Sequence, residues 1–542
     1  MAAGIPEGYS LWRGIPEDYN AGRDLSDAVC ARGLGHRVAL YWENGAGARR
    51  VLTYQDLADQ SSRFANVIAG LGIERGDRIL LRVPNIPEFL VSALGANKRG
   101  ALYIPTSTLF KEKEIAYRVR DAGARLVVTT PQLYPEVAHI GSECPTLDHV
   151  MVVPYLGAPA PPDAIDFEQS LAAASREFPP VATRHDDLAF IAYTSGTTGD
   201  PKGVTHYQRY PASYDNVVRW WYDFRPEDVV SCPSEIGWML PVATFLLALR
   251  VGCALHMYHE TEGPFRPEVW FPQIERYRIS MFTAAPTVYR MLLTVKDAEA
   301  RYDLRSLRHA VSAGEALPAD TLAALQTRFG ITPIDGIGMS ECMVYNFNRV
   351  GEALRPGSCG KPGPGLRLAL LDDELRPVPR GEPGVLCLRR EDHPGIMEGY
   401  WGKPDKTSEI LRGDWYVSGD VLVEDEDGYL WFQGRADDVI KVSGYRVSPF
   451  EVENILLSHP AVLEAAAVAS PDPVRGNVLK AFVLLKEGEA GSEALAEELR
   501  KHCREQAAPF KTPRLIEFVT ALPKTQSGKI KRKDLRLQES RK

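Results

Sequence analysis

Between residues 38 and 130, short apolar runs alternate with helical patterns, and this alternation leaves few folds open. Val38-Ala-Leu-Tyr-Trp42, Ile79-Leu-Leu-Arg-Val83, Ala101-Leu-Tyr-Ile104 and Leu126-Val-Val-Thr-Thr130 read as buried strands. The first intervening helix starts at Thr53, with Asp56 three residues on as its capping partner. Leu57, Phe64, Val67, Ile68 and Leu71 form its apolar face, and Gly72 ends it. Further helices are predicted over 87–99 and 112–122. A β-α-β-α rhythm predicts an open, mostly parallel sheet. It resumes near Val229 with a strand at Ile279-Ser-Met-Phe-Thr283, a helix over 288–295 and a strand at His309-Ala-Val-Ser-Ala-Gly314.

Residues 154–184 are rich in Pro and Ala and read as a surface connection. From about Arg349 glycine and proline become dense and the strand signals short, which predicts a β-rich subdomain. A second boundary is predicted at Gly434-Arg-Ala-Asp-Asp438. Beyond it Ser448, Pro449 and Glu451 form a helix start, strands are predicted over 465–468, 480–485 and 515–519, and a helix over 493–506. The expected division is residues 1–434 and an α+β module over 435–542.

The net charge of −8 gives no case for nucleic acid as a partner. Eight cysteines are scattered without a C-x-x-C pair, the usage of a reduced, cytoplasmic protein. No run of about 18 apolar residues predicts a membrane span, and the N-terminus lacks the basic and apolar regions of a signal peptide.

Five stretches carry chemistry. Tyr193-Thr-Ser-Gly-Thr-Thr-Gly-Asp-Pro-Lys-Gly203 follows an apolar run and gathers Thr194, Ser195, Gly196, Thr197, Thr198 and Lys202. Glycines let amides turn toward an anion, hydroxyls donate, and lysine adds charge. It reads as a phosphate cradle but lacks the Gly-Lys-Ser/Thr ending of a Walker A loop. Ser312-Ala-Gly-Glu-Ala316 is a strand end followed by small residues. Asp335-Gly-Ile-Gly-Met-Ser-Glu341 reads as a glycine-rich turn ending in a hydroxyl and a carboxylate. Trp415-Tyr-Val-Ser-Gly-Asp420 leads to Gly428-Tyr-Leu-Trp-Phe-Gln-Gly-Arg-Ala-Asp-Asp-Val-Ile-Lys-Val-Ser-Gly-Tyr-Arg446. Leu522-Pro-Lys-Thr-Gln-Ser-Gly-Lys-Ile-Lys-Arg532 is basic. Singly, each is as well explained by a solvated turn or tail.

In order and spacing, the five together resemble the acyl-CoA synthetases of the adenylate-forming superfamily, which also holds luciferases and peptide-synthetase adenylation domains. The resemblance runs from the Thr53 helix to Arg536. It implies a large N-terminal domain of two mostly parallel α/β subdomains plus a β-rich one, with a small mobile α+β C-terminal domain hinged near Asp437. It implies two half-reactions: a carboxylate attacks the α-phosphate of Mg-ATP to give acyl-AMP and pyrophosphate, then CoA attacks the acyl carbon and AMP leaves. By resemblance, residues 194–198 and Lys202 cradle pyrophosphate, Glu341 holds Mg²⁺ and Ser340 lies near the α-phosphate. Gly314, Glu315 and Ala316 run along adenine, with Asp335, Gly336, Ile337, Gly338 and Met339 opposite. Ile337 stands where relatives often place a stacking aromatic. Asp420, assisted by Arg435, takes the ribose hydroxyls. Lys529 bridges the carboxylate and α-phosphate, and Arg446 supports the adenylation conformer. After domain rotation Ser443, Gly444 and Tyr445 face the site, with Gly444 leaving room for pantetheine. Lys529 also matches a lysine that is acylated in bacterial members, so a lysine acyltransferase and deacylase are expected partners.

For the acyl pocket, the resemblance implies Trp238, Met239, Leu240, Ala313 and Gly338. Acetyl-CoA synthetases carry Trp at the position of Gly338, so a missing indole implies a longer tunnel and an acid larger than acetate. Ser234-Glu-Ile-Gly-Trp-Met239 resembles acetyl- and medium-chain synthetases, whereas Asp335-Gly-Ile-Gly338 and Val442-Ser-Gly-Tyr-Arg-Val-Ser-Pro449 resemble benzoate- and aminobenzoate-CoA ligases. A medium-sized apolar acid, aliphatic or aromatic, is expected. Two alternatives stay open: an adenylation enzyme that loads a carrier protein, and a non-catalytic nucleotide-binding relative. No G-x-S-x-G, G-x-G-x-x-G or H-E-x-x-H motif supports a hydrolase, dinucleotide enzyme or zinc protease.

Overall fold

The computed structural model describes residues 5–194, 200–263, 265–436, 438, 440–442, 445–472, 476–524 and 530–540, with backbone alone at 441, 442, 445, 446, 476 and 510. The chain forms two compact units. The first comprises residues 1–194, 202–367 and 388–416, and the second 195–201, 368–387 and 417–542.

The alternation read from the sequence produces two sheets in the first unit. A seven-stranded sheet runs Ile165–Asp166, His149–Val152, Leu126–Thr129, Arg78–Leu81, Leu102–Pro105, Leu188–Thr194 and Lys202–Tyr207. All neighbours are parallel except the last pair. A nine-stranded sheet runs Lys361–Pro362, Met343–Phe347, Ile334–Met339, His309–Ser312, Met281–Ala284, Val229–Ser231, Ala254–His259, Val38–Asn44 and Arg49–Thr53. Its middle is parallel and its edges are antiparallel.

The helix starts are local chemistry. Thr53 caps Tyr54–Gly70 and Asp56 returns the bond, a complete capping box. Pro87 opens Pro87–Arg99, where a missing N–H costs nothing, and Gly100 closes it at φ 76°. That helix is buried nearly all round, so its charged residues need partners. Glu88 takes Arg50, and Lys98 Nζ reaches Asp27 Oδ2 at 2.7 Å, Ser62 Oγ at 2.9 Å and Ala58 O at 3.0 Å.

Three readings need correction. The 154–184 connection holds a helix, Phe167–Ala173, capped by Asp166 and fastened by buried Phe167 stacking 5.7 Å from Phe64. Asp335-Gly-Ile-Gly-Met is a strand rather than a turn. Lys202 lies in a strand, where it pairs with Thr194 rather than riding in a loop.

The second unit contains the short-stranded region with Leu368–Leu371 and Leu430–Arg435, a hairpin of Ile440–Val442 and Tyr445–Val447, and a sheet of Val462–Asp472, Gly476–Leu485 and Leu515–Phe518. Helices Pro449–Leu457, Glu493–Gln506 and Arg532–Ser540 complete it. Ser448 Oγ accepts from the Glu451 amide, as its position predicts. All eight cysteines are described; none forms a disulfide, and seven are buried. Among the described residues, no helix is long and apolar enough to cross a membrane.

Candidate active site

The antiparallel pair Leu188–Thr194 and Lys202–Tyr207 sets the floor of the candidate site. Its register places Thr194 opposite Lys202 and Tyr193 opposite Gly203, so the glycine- and hydroxyl-rich segment is the connection between the two strands. Ser195, Gly196, Thr197 and Thr198 lie outside the described residues. Tyr193 is fixed from behind, its hydroxyl donating to Asp121 Oδ2 at 2.6 Å.

A segment that sequence reasoning missed lies against this floor. Residues 397–401 run beside 203–205 like an added strand. Trp401 N donates to Gly203 O at 2.7 Å, Thr205 N to Gly399 O at 3.0 Å, and Glu398 N to Thr205 O at 3.1 Å. Thr205 Oγ1 donates to Gly399 O at 2.8 Å and accepts from Gly399 N at 3.1 Å. From this segment Tyr400 reaches two expected site residues. Its hydroxyl donates to Glu341 Oε1 at 2.6 Å, and Lys202 Nζ lies 4.4 Å from its ring centroid. Met397 N also donates to Glu341 O at 2.8 Å. Glu341 is 6% exposed, a buried carboxylate held by a neutral donor.

Glu341 follows Ile334–Met339, which pairs antiparallel with Met343–Phe347 and shifts register between Ile337 and Gly338. The shift dictates glycine. A Cβ on Gly338 would lie 2.0 Å from Met343 O. The direction a Cβ would take from Gly338 is filled by the Met343 backbone, so this geometry adds no support to a tunnel opened by the missing side chain. Met339 Sδ accepts from Tyr416 Oη at 3.1 Å, and Ser340 is half-buried.

Asp335 opens the same strand and pairs with Ser312 at the neighbouring strand end. Its Oδ2 accepts from Leu317 N at 3.2 Å, while Oδ1 makes no hydrogen bond of normal geometry among the described residues. Burial pushes this carboxyl up to about 8, only partly offset by the amides of Leu317 and Gly336. Gly314, Glu315 and Ala316 follow the strand His309–Ser312. The Glu315 carboxylate is turned to the helix Pro286–Leu293, accepting from Thr287 Oγ1 at 3.0 and 3.1 Å.

Trp238 caps the apolar helix Met239–Val251 and meets Phe110 edge-on at 5.9 Å. The Gly-Trp step has a steric reason: a Cβ on Gly237 would lie 2.4 Å from Ser107 N. Glu235 secures the same crossing, accepting from Ser107 Oγ and Thr108 N at 2.5 Å each. Met239 and Leu240 pack on the core cluster that holds buried Ala313.

In the second unit Asp420 and Arg435 are cross-strand neighbours. Arg435 Nη1 donates to Asp420 Oδ1 at 3.0 Å and to Ser418 O at 2.9 Å, and Asp420 N donates to Ser418 Oγ at 3.0 Å. Asp437, Ser443, Gly444 and Lys529 lie outside the described residues, and the side chains of Tyr445 and Arg446 are likewise not described. Asp438, beside the expected hinge, receives Arg536 Nη2 at 3.0 Å and Arg532 Nη1 at 3.5 Å. Arg532 Nε donates to buried Glu453 at 2.8 Å.

Among the described residues no three acidic, His or Cys side chains gather as a ready metal cage. A single buried carboxylate fits Mg²⁺ carried in by nucleotide phosphates, since that ion keeps most of its oxygens from water and substrate. Tyr400 was not legible from sequence. Its only signal is the Gly-Tyr-Trp step at 399–401, which carries no chemistry until the fold brings it 59 positions back to Glu341.

The model of the AMP-binding enzyme family matches residues 28–401, and that of the AMP-binding enzyme C-terminal domain matches 451–529. The mitochondrial acyl-coenzyme A synthetase ACSM4 of Mus musculus is 37% identical over 538 residues, covering 97% of this chain and 91% of the relative. The anthranilate CoA ligase AuaEII, solved with anthranoyl-AMP, superposes with a TM-score of 0.87 at 33% identity over 97% of this chain and 98% of that one. The benzoate CoA ligase of Burkholderia xenovorans LB400 superposes with a TM-score of 0.82 at 30% identity, over 96% of this chain and all of that one. The chain belongs to the AMP-binding enzymes and is an AMP-forming acyl-CoA ligase of the adenylate-forming superfamily.

Proposed function

We propose that the chain joins a medium-sized apolar carboxylic acid, aliphatic or benzoate-like, to CoA through an acyl-AMP. The observation that carries this reading is Tyr400, which gathers a lysine and a buried carboxylate at one edge of the sheet. A cation and a hard-metal carboxylate side by side suit a polyphosphate. The apolar start of Met239–Val251, with Trp238 and Ala313, suits an apolar acyl group.

In the first step a carboxylate oxygen bonds to the α-phosphorus and the bond to pyrophosphate breaks. Lys202 and the 194–198 segment receive the leaving phosphates. Glu341 would hold Mg²⁺, which neutralises phosphate charge when bound. Asp335 Oδ1 would accept from the exocyclic amino group of adenine, and Ile337 would give its ring apolar contact. Asp420, oriented by Arg435, would accept from the ribose hydroxyls. Lys529 neutralises charge at the reacting oxygens, and Arg446 supports that arrangement. In the second step the CoA sulfur bonds to the acyl carbon and AMP departs. Residues 443–445 serve that step after movement at Asp437.

A pyrophosphate-release screen tests the reading, with ATP, CoA, and acids from butyrate to decanoate and benzoate to aminobenzoates. The expected result is acid-dependent pyrophosphate with an equal yield of CoA thioester and AMP. Acyl-AMP without thioester on free CoA would instead indicate carrier-protein loading.

A further inference from the structure

Tyr400 has no chemical role of its own in that scheme, yet it is 6% exposed and joins two residues that do. A buried tyrosine hydroxyl needs an acceptor, and this one uses a carboxylate at 2.6 Å, a charge-assisted distance. The segment that carries it is held by main-chain bonds at Gly203 and Thr205, and Tyr400 N itself donates to Thr407 Oγ1 at 2.9 Å. Val204, Met397 and Tyr400 share one buried apolar cluster. The phenol is therefore fixed from its backbone outward. The bond engages Oε1 of Glu341 and defines the direction of Oε2. The ring face meanwhile seats the Lys202 ammonium at 4.4 Å, a neutral seat that does not cancel its charge.

We propose that Tyr400 is a positioning residue for adenylation: its hydroxyl sets the Glu341 carboxylate for the metal of the nucleotide, and its ring sets Lys202 for the departing pyrophosphate. This rests on the reading of Glu341 as the metal carboxylate given above. A donor to a ligating carboxylate orients it and tunes its affinity, and loss of such a donor weakens metal binding by about 10-fold or more. Tyr400→Phe removes the oxygen and keeps the ring, whereas Tyr400→Leu removes both.

The test measures Mn²⁺ binding to the full chain by electron paramagnetic resonance in the presence of α,β-methylene-ATP. Binding of that analogue in excess chelator serves as the metal-free control, and product inhibition by pyrophosphate as a second readout. Tyr400→Phe is expected to weaken Mn²⁺ binding about 10-fold. Its metal-free analogue binding and pyrophosphate inhibition stay within twofold of the parent protein. Tyr400→Leu is expected to weaken both Mn²⁺ binding and pyrophosphate inhibition. Glu341→Gln separates the proposal from the reading beneath it. If Glu341→Gln loses Mn²⁺ affinity and Tyr400→Phe does not, the proposal falls and the metal reading stands. If Glu341→Gln binds Mn²⁺ normally, the metal reading falls and takes the proposal with it. Equal loss of Mn²⁺ binding, metal-free analogue binding and pyrophosphate inhibition in Tyr400→Phe would mark a general packing defect and overturn the positioning role.

Discussion

Glu341 and Asp420 are exposed to the same small extent, 6% and 5%, but their partners differ in charge. Glu341 accepts from a phenol, a neutral donor. Asp420 accepts from a guanidinium, which cancels much of it. A cation binds best where negative charge is intact, whereas sugar hydroxyls need only an oriented acceptor. Under the proposed roles this is a division by charge: the carboxylate with a neutral partner would serve the metal, and the one with a cationic partner the ribose. Asp335 is a third case, a carboxyl with neutral neighbours and one oxygen without a partner of normal geometry among the described residues.

Substitutions by the matching amide can break this comparison. Glu341→Gln keeps an acceptor for Tyr400 and loses only the charge. Its pyrophosphate release should fall about 100-fold or more, while its unfolding free energy stays within about 0.5 kcal/mol of the parent. Asp420→Asn should do the reverse in stability, because Arg435 loses a charged acceptor. Its denaturant midpoint should drop by the equivalent of about 1–2 kcal/mol, with Arg435 being partly exposed, and the KM for ATP should rise. If Glu341→Gln proves the less stable of the two, the division by charge fails.

The bulge at Gly338 gives a sharper test of where pocket length is set. Gly338→Ala should destabilise the protein by about 2–3 kcal/mol in chemical denaturation, because its Cβ would meet the backbone of Met343. The chain-length preference of whatever activity survives should not change. A stable variant with a shifted preference would restore the view that an absent side chain makes the tunnel.

The smallest effect expected is pH-dependent. The Asp335 carboxyl sits at about 8, above its ordinary value of 3.8, so the folded state holds its proton more tightly. Its contribution to stability is full below about pH 4 and is lost as pH rises toward 8. Asp335→Asn, which has no charge to bury, should match the parent near pH 4. It should gain on the parent up to pH 8, reaching about 1 kcal/mol in thermal unfolding.

What the sequence disclosed follows from the range of each interaction. Helix starts depend on residues three apart, and Thr53–Asp56 and Ser448–Glu451 were legible. The helix Glu493–Gln506 shows the bounds its pattern predicts. The parallel sheets follow from alternation alone. The strand Ile334–Met339 was hidden because Gly336 and Gly338 are poor strand residues in isolation. They are required by Trp221, Met343, Val344 and Phe347, which the fold brings against them. Lys202–Tyr207 was hidden because its first residues look like the end of a loop until Leu188–Thr194 pairs with them. Residues that would touch ligands carry chemical signatures, and the family resemblance supplied their roles. Residues that hold them, such as Thr205 and Tyr400, act over 194 and 59 positions and leave no local trace.

The buried cysteines bear on chemoselectivity. An acyl adenylate is a mixed anhydride that any nearby thiolate would capture. Burial pushes the Cys232 thiol up to about 12 and Cys503 up to about 11, and Cys253 higher still. Even Cys30, the one thiol with partial exposure, is raised. A raised thiol stays protonated and is a poor nucleophile at neutral pH, so burial lowers the competition of these four cysteines with CoA for the acyl adenylate. The same protection means that a disulfide dye added to the native enzyme reports the free CoA thiol against little background from the chain.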